Sequence, residues 1–413
     1  MSGAALRLGA GRYTEVPDEP AGVTTTVHPL TAVDGATLSG VLRVPQGART
    51  LVTVVHPRQD TTHHASVPYL LRDGYAVWTQ GSRSPNNDLN LLHEQAILDV
   101  AAGHVRLRDL GFQHVVCLGH SGGATLTAFY CEQAGRPASD RLTTTPSGRP
   151  VPLADAEMPL PDGCVFMAPH PGQGALLLRV VDPSVTDESD PLSVDPALDP
   201  FSPVNGFVPA PETSAYPPDF VAAYRDAQGH RIARIDERAR TWAEESRSAA
   251  RAYARGGDDV DRRRAVAPRL LITYRTDADL RNVDLSLDPN ARPYGSLFGR
   301  RPDLTNYGLV GFGRLATAEA WLSTWSATTT NADFARCAPG VTVPSLLIEL
   351  TGDQASFPAD VARFRDLLGA ADVSVASVPG THFGGPLASG EPTGTELADA
   401  VLRAWMAERF SPR

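Results

Sequence analysis

The amino-acid sequence predicts a protein of the α/β class, with a doubly wound, mostly parallel sheet of about eight strands and a large, mainly helical insertion. Three observations lead to this prediction. Short apolar runs such as residues 51–55 (LVTVV) are typical of strands buried on both faces. These runs alternate with amphipathic helical patterns, which favours parallel strands joined by right-handed crossovers. The alternation stops after residue 168 and resumes near residue 344, which leaves a long insertion within one sheet.

Each strand and helix is predicted from its own local pattern. The first two strands alternate apolar and polar residues around Asp34-Gly35, a dipeptide typical of hairpin turns. Apolar residues recur every four positions over 94–110, and Gly111 ends that helical pattern. The predicted strands cover residues 25–27, 37–44, 51–55, 75–79, 114–118, 163–168, 344–350 and 373–378. The predicted helices cover residues 65–72, 94–110, 122–133, 220–255, 316–326, 359–368 and 396–410.

The order of these elements divides the chain into four segments. Residues 1–22 are rich in Gly and Pro, and we expect a loose N-terminal segment there. Residues 23–168 form the first part of the α/β core and residues 342–413 the second part. Residues 169–341 form the cap, or lid, insertion. Within the first part, the polar, Pro-rich stretch 136–162 is expected to lie on the surface.

The charged residues exclude several classes of protein. The net charge of the 413-residue chain is −10, which argues against a nucleic-acid partner. All 37 basic residues are arginine, so a lysine Schiff base and the usual lysine-containing P-loop are excluded. The Arg-rich helix predicted over 220–255 also carries interleaved acidic residues, and we interpret it as a solvated amphipathic helix.

The remaining composition indicates a protein of the cytoplasm that does not enter a membrane. The sequence has no apolar run of 18 residues, and its start lacks the basic and apolar regions of a secretory signal. Its four cysteines are far apart and lack metal-site spacing, and a chain of this size does not need disulfides. They are Cys117, Cys131, Cys164 and Cys337.

A candidate nucleophile lies where the strand predicted over 114–118 meets the helix predicted over 122–133. The connecting residues 119–123 read Gly-His-Ser-Gly-Gly, which places Ser121 in a G-x-S-x-G motif between a strand and a helix. A serine on so sharp a turn is held in a strained conformation, and the flanking glycines leave room for the backbone. The helix N-terminus offers unpaired N–H groups to a developing oxyanion.

A serine nucleophile requires a base, and His382 is the best placed of the eleven histidines. It follows the last predicted strand, in the order Ser, acid, His that this kind of turn favours. His120 stands beside the serine, and we expect its side chain to point away from Ser121 into packing or the pocket wall. Four further histidines follow strand ends at the same edge and can line a pocket there: His56, His63, His64 and His170.

The third group must be a carboxylate that orients the imidazole. Asp353 follows the strand predicted over 344–350 and precedes His382, so we assign the acid there. Glu349 is expected within that strand and Asp360 at the start of the next helix. Asp182, after an earlier strand, is the remaining alternative.

With these motifs, the chain resembles the α/β-hydrolase superfamily and is closest in style to its serine esterases. The resemblance covers about residues 24–170 and 341–410. It is carried by residues 119–123 as the nucleophile turn, 352–353 as the acid turn and 379–382 as the histidine loop.

The resemblance also implies an oxyanion hole and a cap. The hole would use the backbone N–H of Gly122 and a second N–H from the loop after an earlier strand. In this sequence that loop is His56-Pro57-Arg58-Gln59, which indicates Arg58 or a neighbour, since Pro57 has no N–H. The family inserts a cap after its sixth strand, and residues 169–341 occupy that place. A cap of this size is expected to enclose the site.

The expected activity is hydrolysis of a carboxylic ester through an acyl-enzyme. Thioesters, lactones and amides stay open as substrates. An acyltransferase or a C–C bond hydrolase could use the same residues, and a non-catalytic binding protein could keep the fold. The serine argues against the dehalogenase and epoxide-hydrolase branches, which use an aspartate.

We expect a small-molecule substrate and neither a cofactor nor a metal. His63 and His64 are adjacent, which makes them a poor pair of metal ligands. The cap contains seven large aromatic residues, which we interpret as its core; any that face the pocket would favour an apolar or aromatic acyl substrate. They are Tyr216, Phe220, Trp242, Tyr274, Phe298, Trp321 and Trp325. A homodimer is an open alternative to a monomer.

Overall fold

The computed structural model describes residues 17–83 and 88–413. Most of the loose segment predicted over 1–22 therefore lies outside the described residues. Eight strands form the main sheet: β1 (Thr24–Thr31), β2 (Thr37–Val44), β3 (Thr50–Val55), β4 (Ala76–Gln80), β5 (His114–His120), β6 (Gly163–Met167), β9 (Ser345–Gly352) and β10 (Val373–Thr381). Two short strands, β7 (Leu270–Ile272) and β8 (Leu315–Thr317), pair separately as an antiparallel ribbon.

The main sheet has the strand order β1-β2-β4-β3-β5-β6-β9-β10. β2 pairs antiparallel with both β1 and β4, and the other neighbouring pairs are parallel. The hairpin predicted around Asp34-Gly35 joins β1 to β2, and Gly35 has the positive φ of 85° that its turn requires. The predicted fold class, a mostly parallel sheet of eight strands, is therefore confirmed.

Helices cover both faces of the sheet. The core helices are α1 (Val67–Arg72), α2 (His93–Asp109), α3 (Gly122–Ala134), α10 (Pro358–Leu367) and α11 (Gly394–Arg409). Alternate residues of β6 show the two faces: Cys164 and Phe166 join the apolar cluster under α2 and α3, and Val165 and Met167 join the cluster under α1 and α11. Burying each large apolar side chain contributes about 1.5–3 kcal/mol.

The insertion between β6 and β9 has a smaller apolar core of its own. Its helices are α4 (Gln173–Val180), α5 (Pro218–Ala254), α6 (Asp259–Val266), α7 (Pro302–Thr305), α8 (Ala318–Ala320) and α9 (Phe334–Cys337). A π-helical turn covers Trp321–Trp325, and short 3₁₀ turns lie at Pro203–Asn205, Leu280–Asn282 and Ala338–Gly340. One further 3₁₀ turn, Ala138–Asp140, lies outside the insertion, between α3 and β6. Ile232 and Ile235 of α5 pack with Leu177, Trp321 and Trp325. Among the helices of the described residues, none is long and apolar enough to cross a bilayer.

Two local predictions are wrong. The helix predicted over 316–326 begins as strand β8, because its first residues pair with β7, and it continues as α8 and the π-helical turn. The stretch 136–162, expected on the surface, inserts Val151, Leu153 and Met158 into the core cluster beside α3. Because this stretch is rich in proline and polar residues, the sequence pattern did not show that a few of its apolar residues are buried.

Candidate active site

Ser121 lies on a sharp turn between β5 and α3. Its backbone angles are φ 56° and ψ −121°, a conformation that a residue with a side chain keeps only when its surroundings hold it. The Ser121 N–H donates to the Met167 carbonyl at 3.0 Å. A Cβ at Gly119 would lie 2.5 Å from the Gly123 carbonyl oxygen, and one at Gly123 would overlap the Val55 carbonyl oxygen. The two glycines therefore permit the tight crossing that projects Ser121 beyond the sheet.

The structure brings Ser121, His382 and Asp353 into one hydrogen-bonded series. Ser121 Oγ lies 2.8 Å from His382 Nε2, and His382 Nδ1 lies 2.9 Å from each carboxylate oxygen of Asp353. Asp353 Oδ1 also accepts the N–H groups of Ala355 at 2.7 Å and Ser356 at 3.0 Å. A carboxylate accepts hydrogen bonds, so Nδ1 carries the imidazole proton and Nε2 is left to accept the serine hydroxyl hydrogen.

The other carboxylates considered from the sequence lie elsewhere. Glu349 is within β9, as expected, and Asp360 caps the N-terminus of α10 while it pairs with Arg179. Asp182 lies in the insertion, 3.0 Å from the guanidinium of Arg275. None of the three hydrogen-bonds to His382, which leaves Asp353 as its carboxylate partner.

A second series of histidines supports the backbone of His382. The Ser66 N–H donates to His64 Nδ1 at 3.2 Å, so His64 Nε2 carries a proton and donates to His120 Nδ1 at 3.1 Å. His120 Nε2 then donates to the His382 carbonyl at 2.8 Å. Burial lowers the pKa of His64 to about 4, and burial followed by the nearby His64 holds the pKa of His120 well below its ordinary value. Both rings are therefore neutral at pH 7.

The loop after β3 differs from the predicted oxyanion loop. The Arg58 N–H donates to the ring nitrogen His56 Nδ1 at 3.0 Å, and the Gln59 N–H donates to the same atom at 2.8 Å. The N–H of Arg58, predicted with its neighbours as the second oxyanion donor, is therefore already bound within its own loop, and so is that of Gln59. Gly122 is placed as predicted: it is the first residue of α3, so its N–H has no acceptor within the helix.

Beside Ser121 and His382 lies a cavity of about 280 Å³. Of the three histidines predicted to bind substrate, His56 and His170 line it and His120 does not. The His120 ring is turned toward His64 and the histidine loop instead. Most of the wall is apolar: Leu176, Leu297, Phe298, Val310, Phe312 and Phe383.

One charged side chain, Arg58, reaches the same wall. Its guanidinium forms a bidentate ion pair with Asp88. It also stacks 5.4 Å from the ring centroid of Phe312 and 5.0 Å from that of Trp325. The charge is therefore largely paired, and the cavity stays mainly apolar.

The sequence analysis identified only some of the aromatic residues that line the cavity. Of the seven cap aromatics, Phe298 lines the cavity, whereas Trp321 and Trp325 pack in the core of the insertion. Phe312 and Phe383 were not identified, because nothing in the local pattern marks which loop apolar residues turn inward. In residues 17–83 and 88–413, no group of three His, Cys, Asp or Glu side chains is arranged to hold a metal ion.

The protein is similar to several solved structures, each at low sequence identity. DcsB, solved with its substrate analogue, gives a TM-score of 0.49 at 11% identity, over 94% of this chain and 100% of that chain. An esterase from Pyrococcus furiosus gives 0.44 at 10% identity, over 97% and 99%. An acylaminoacyl peptidase from Pyrococcus horikoshii gives 0.45 at 10% identity, over 95% and 42%. No protein-family model and no curated protein sequence matches the chain.

Similarities this low carry no argument about activity, and the chain's own topology defines its fold. In the main sheet, β2 alone runs against the other strands. A serine on a strained turn follows the central strand β5, with an aspartate after β9 and a histidine after β10. A long insertion lies between β6 and β9. The chain therefore has the α/β-hydrolase fold.

Proposed function

We propose that the protein is a serine hydrolase that cleaves carboxylic esters through an acyl-enzyme on Ser121. The observation that carries this proposal is the hydrogen-bonded series from Asp353 through His382 to Ser121, which opens onto an apolar cavity. The distances support the proposal, because each member lies within hydrogen-bond reach of the next, in the order that nucleophilic attack requires.

The proposed reaction has two halves. In the first, Ser121 Oγ attacks the ester carbonyl carbon while its proton passes to His382 Nε2, and the carbonyl oxygen becomes an oxyanion near the Gly122 N–H. When the tetrahedral intermediate collapses, the C–O bond breaks and the leaving alcohol takes the proton from His382. In the second half, water gives a proton to His382 and attacks the acyl carbon. The bond from that carbon to Ser121 Oγ then breaks, His382 returns the proton to Ser121, and the acid is released. Asp353 holds the ring and stabilises the imidazolium in both halves.

The cavity favours a substrate with a short, apolar acyl group. Its volume is below the range of about 300–1,000 Å³ that is usual for small-molecule sites. Its walls offer aliphatic and aromatic side chains, and the guanidinium of Arg58 among them is paired with Asp88. An apolar or aromatic acyl chain would therefore bury its surface at little polar cost.

The test is hydrolysis of p-nitrophenyl esters of increasing acyl length by wild type and by Ser121→Ala. We expect turnover by wild type and a loss of at least about 10³-fold in kcat for the variant. Ser139→Ala is the matched control, because Ser139 is exposed and far from the site in sequence. Equal activity of Ser121→Ala and wild type, or no hydrolysis of any ester by the folded wild type, would contradict the proposal.

A further inference from the structure

The two histidines that line the cavity have the same hydrogen-bonding arrangement. His56 follows β3, and its Nδ1 accepts the N–H groups of Arg58 and Gln59. His170 follows β6, and its Nδ1 accepts the N–H of Gly172 at 3.0 Å. Each ring is thus anchored on the Nδ1 side by its own loop. A ring nitrogen that accepts a hydrogen bond carries no proton, so the proton of each neutral ring is on Nε2.

Both rings are held neutral. Burial is the largest cause and lowers the pKa of each ring well below its ordinary value. Arg58 adds to the effect at His56, and His382 adds to it at His170. At neutral pH, each ring therefore presents a fixed N–H group on its Nε2 side. Such a donor does not compete with His382 for the serine proton.

The two Nε2 atoms converge on Gly122. A Cβ on that residue would lie 3.1 Å from His170 Nε2 and 3.2 Å from His56 Nε2. The hydrogen bonds of both rings to their loops run through Nδ1, on the other side of each ring. Because Gly122 has no side chain, both ring nitrogens lie close to the residue that follows Ser121.

The side-chain amide of Gln173 is a third buried polar group beside Gly122. The side chain of Gln173 is 1% exposed, and its Nε2 would overlap a Cβ on Gly122. Among residues 17–83 and 88–413, its Oε1 and Nε2 find no hydrogen-bond partner of good geometry, although His93 is close by. An unpaired buried amide is costly, which is consistent with a region built to receive a polar ligand atom.

We propose that the Nε2–H groups of His56 and His170, together with the Gly122 N–H, form the oxyanion hole of this site. This inference rests on the proposed function and assigns the second donor that the Arg58 backbone cannot supply. Preorganised, uncharged donors stabilise the oxyanion that forms on the substrate carbonyl, and their anchored rings need no rearrangement during the reaction.

The test replaces each histidine by asparagine. Asparagine Oδ1 can take the place of Nδ1 and keep the loop N–H acceptor, whereas the Nε2 donor is lost. We expect His56→Asn and His170→Asn to lower kcat for a p-nitrophenyl ester by about 10²- to 10³-fold, with KM changed less than about three-fold. Affinity for a trifluoromethyl ketone, whose serine adduct carries an oxyanion, should fall by a similar factor. His63→Asn, an exposed neighbour, is the control and should match wild type.

The outcomes separate the two proposals. If Ser121→Ala retains activity, the proposed function fails and this assignment fails with it. If Ser121→Ala is inactive but both asparagine variants keep the wild-type kcat and ketone affinity, only the oxyanion assignment is overturned. Should the variants not fold, ¹⁵N-histidine NMR of wild type decides: two Nε2–H signals are expected to shift on binding the ketone. Unchanged signals, or rings without an Nε2 proton, would overturn the assignment.

Discussion

At the scale of single residues, the site depends on which ring nitrogen of each histidine carries the proton. His382 is protonated at Nδ1 because Asp353 accepts there, whereas His56 and His170 are protonated at Nε2 because backbone N–H groups donate to Nδ1. In the proposed mechanism, the same side chain is therefore a base at one position and a fixed donor at two others. The tautomer of His382 follows from a contact with a residue 29 positions away in the chain, whereas those of His56 and His170 follow from contacts within their own loops.

Asp353→Asn tests the tautomer of His382. The asparagine amide can donate to Nδ1, which would move the ring proton to Nε2 and prevent that nitrogen from accepting the Ser121 hydrogen. We expect kcat for a p-nitrophenyl ester to fall by about 10³- to 10⁴-fold with little change in KM. Asp366→Asn, at an exposed carboxylate in the neighbouring helix, is the control. A variant that keeps more than a tenth of wild-type kcat would show that Asp353 does not set the tautomer.

At the scale of elements, helix α11 carries a carboxylate whose burial is poorly compensated. Asp399 is buried against α1, close to Asp73, and both carboxylates have an oxygen without a partner in the described residues. Burial, then the charge of Asp73, raises the pKa of Asp399 to about 7. The folded state therefore keeps a proton that the unfolded chain releases near pH 4, and stability is lost as pH rises from about 4 to 7.

Replacement of the Asp399 carboxylate by an amide should remove the loss of stability that occurs as pH rises. We expect Asp399→Asn to raise the free energy of unfolding by about 2 kcal/mol at pH 8. The gain should stay constant above pH 7 and shrink as pH falls toward 4, where Asp399 is neutral in both states. Urea unfolding across this pH range measures it, with Glu396→Gln on the exposed face of α11 as the control. A gain that is the same at pH 4 and pH 8 would rule out this titration as the cause.

The elements also show how far sequence reasoning reaches. All eight strands of the main sheet were predicted, because buried strands such as β3 and β6 are short, continuous apolar runs with clear ends. β8 was predicted as the start of a helix, because its three residues are too few to show the alternation that is typical of a strand. Ser121, His382 and Asp353 were identified as candidates because each follows a predicted strand. The hydrogen bond that occupies the Arg58 N–H was not predicted, because it depends on the His56 side chain turning back onto its own loop.

At the scale of the whole molecule, the cavity is assembled from three separate parts of the chain. Ser121 comes from the first part of the core, Phe298 and Phe312 from the insertion, and His382 from the second part. The insertion therefore supplies most of the apolar wall, and the core supplies Ser121 and His382, the proposed reactive groups. Changes in the insertion are expected to alter which acyl group fits, with less effect on the chemical step.

Phe298→Ala tests this division of roles between the insertion and the core. Loss of the ring enlarges the acyl-binding space, so kcat/KM for an octanoate ester relative to an acetate ester should rise about ten-fold. Phe201→Ala is the matched control, because Phe201 packs in a separate cluster of the insertion. A ratio that changes equally in both variants would indicate a general loosening of the insertion.

The central claim is that Ser121 is a nucleophile activated by His382, and covalent labelling tests it most directly. The folded protein would be incubated with a fluorophosphonate, and the adduct located by peptide mass spectrometry. The account predicts one adduct per chain, on Ser121, that is lost when the protein is unfolded in urea before labelling. A folded protein that stays unlabelled, or that carries the adduct on a different residue, would contradict it.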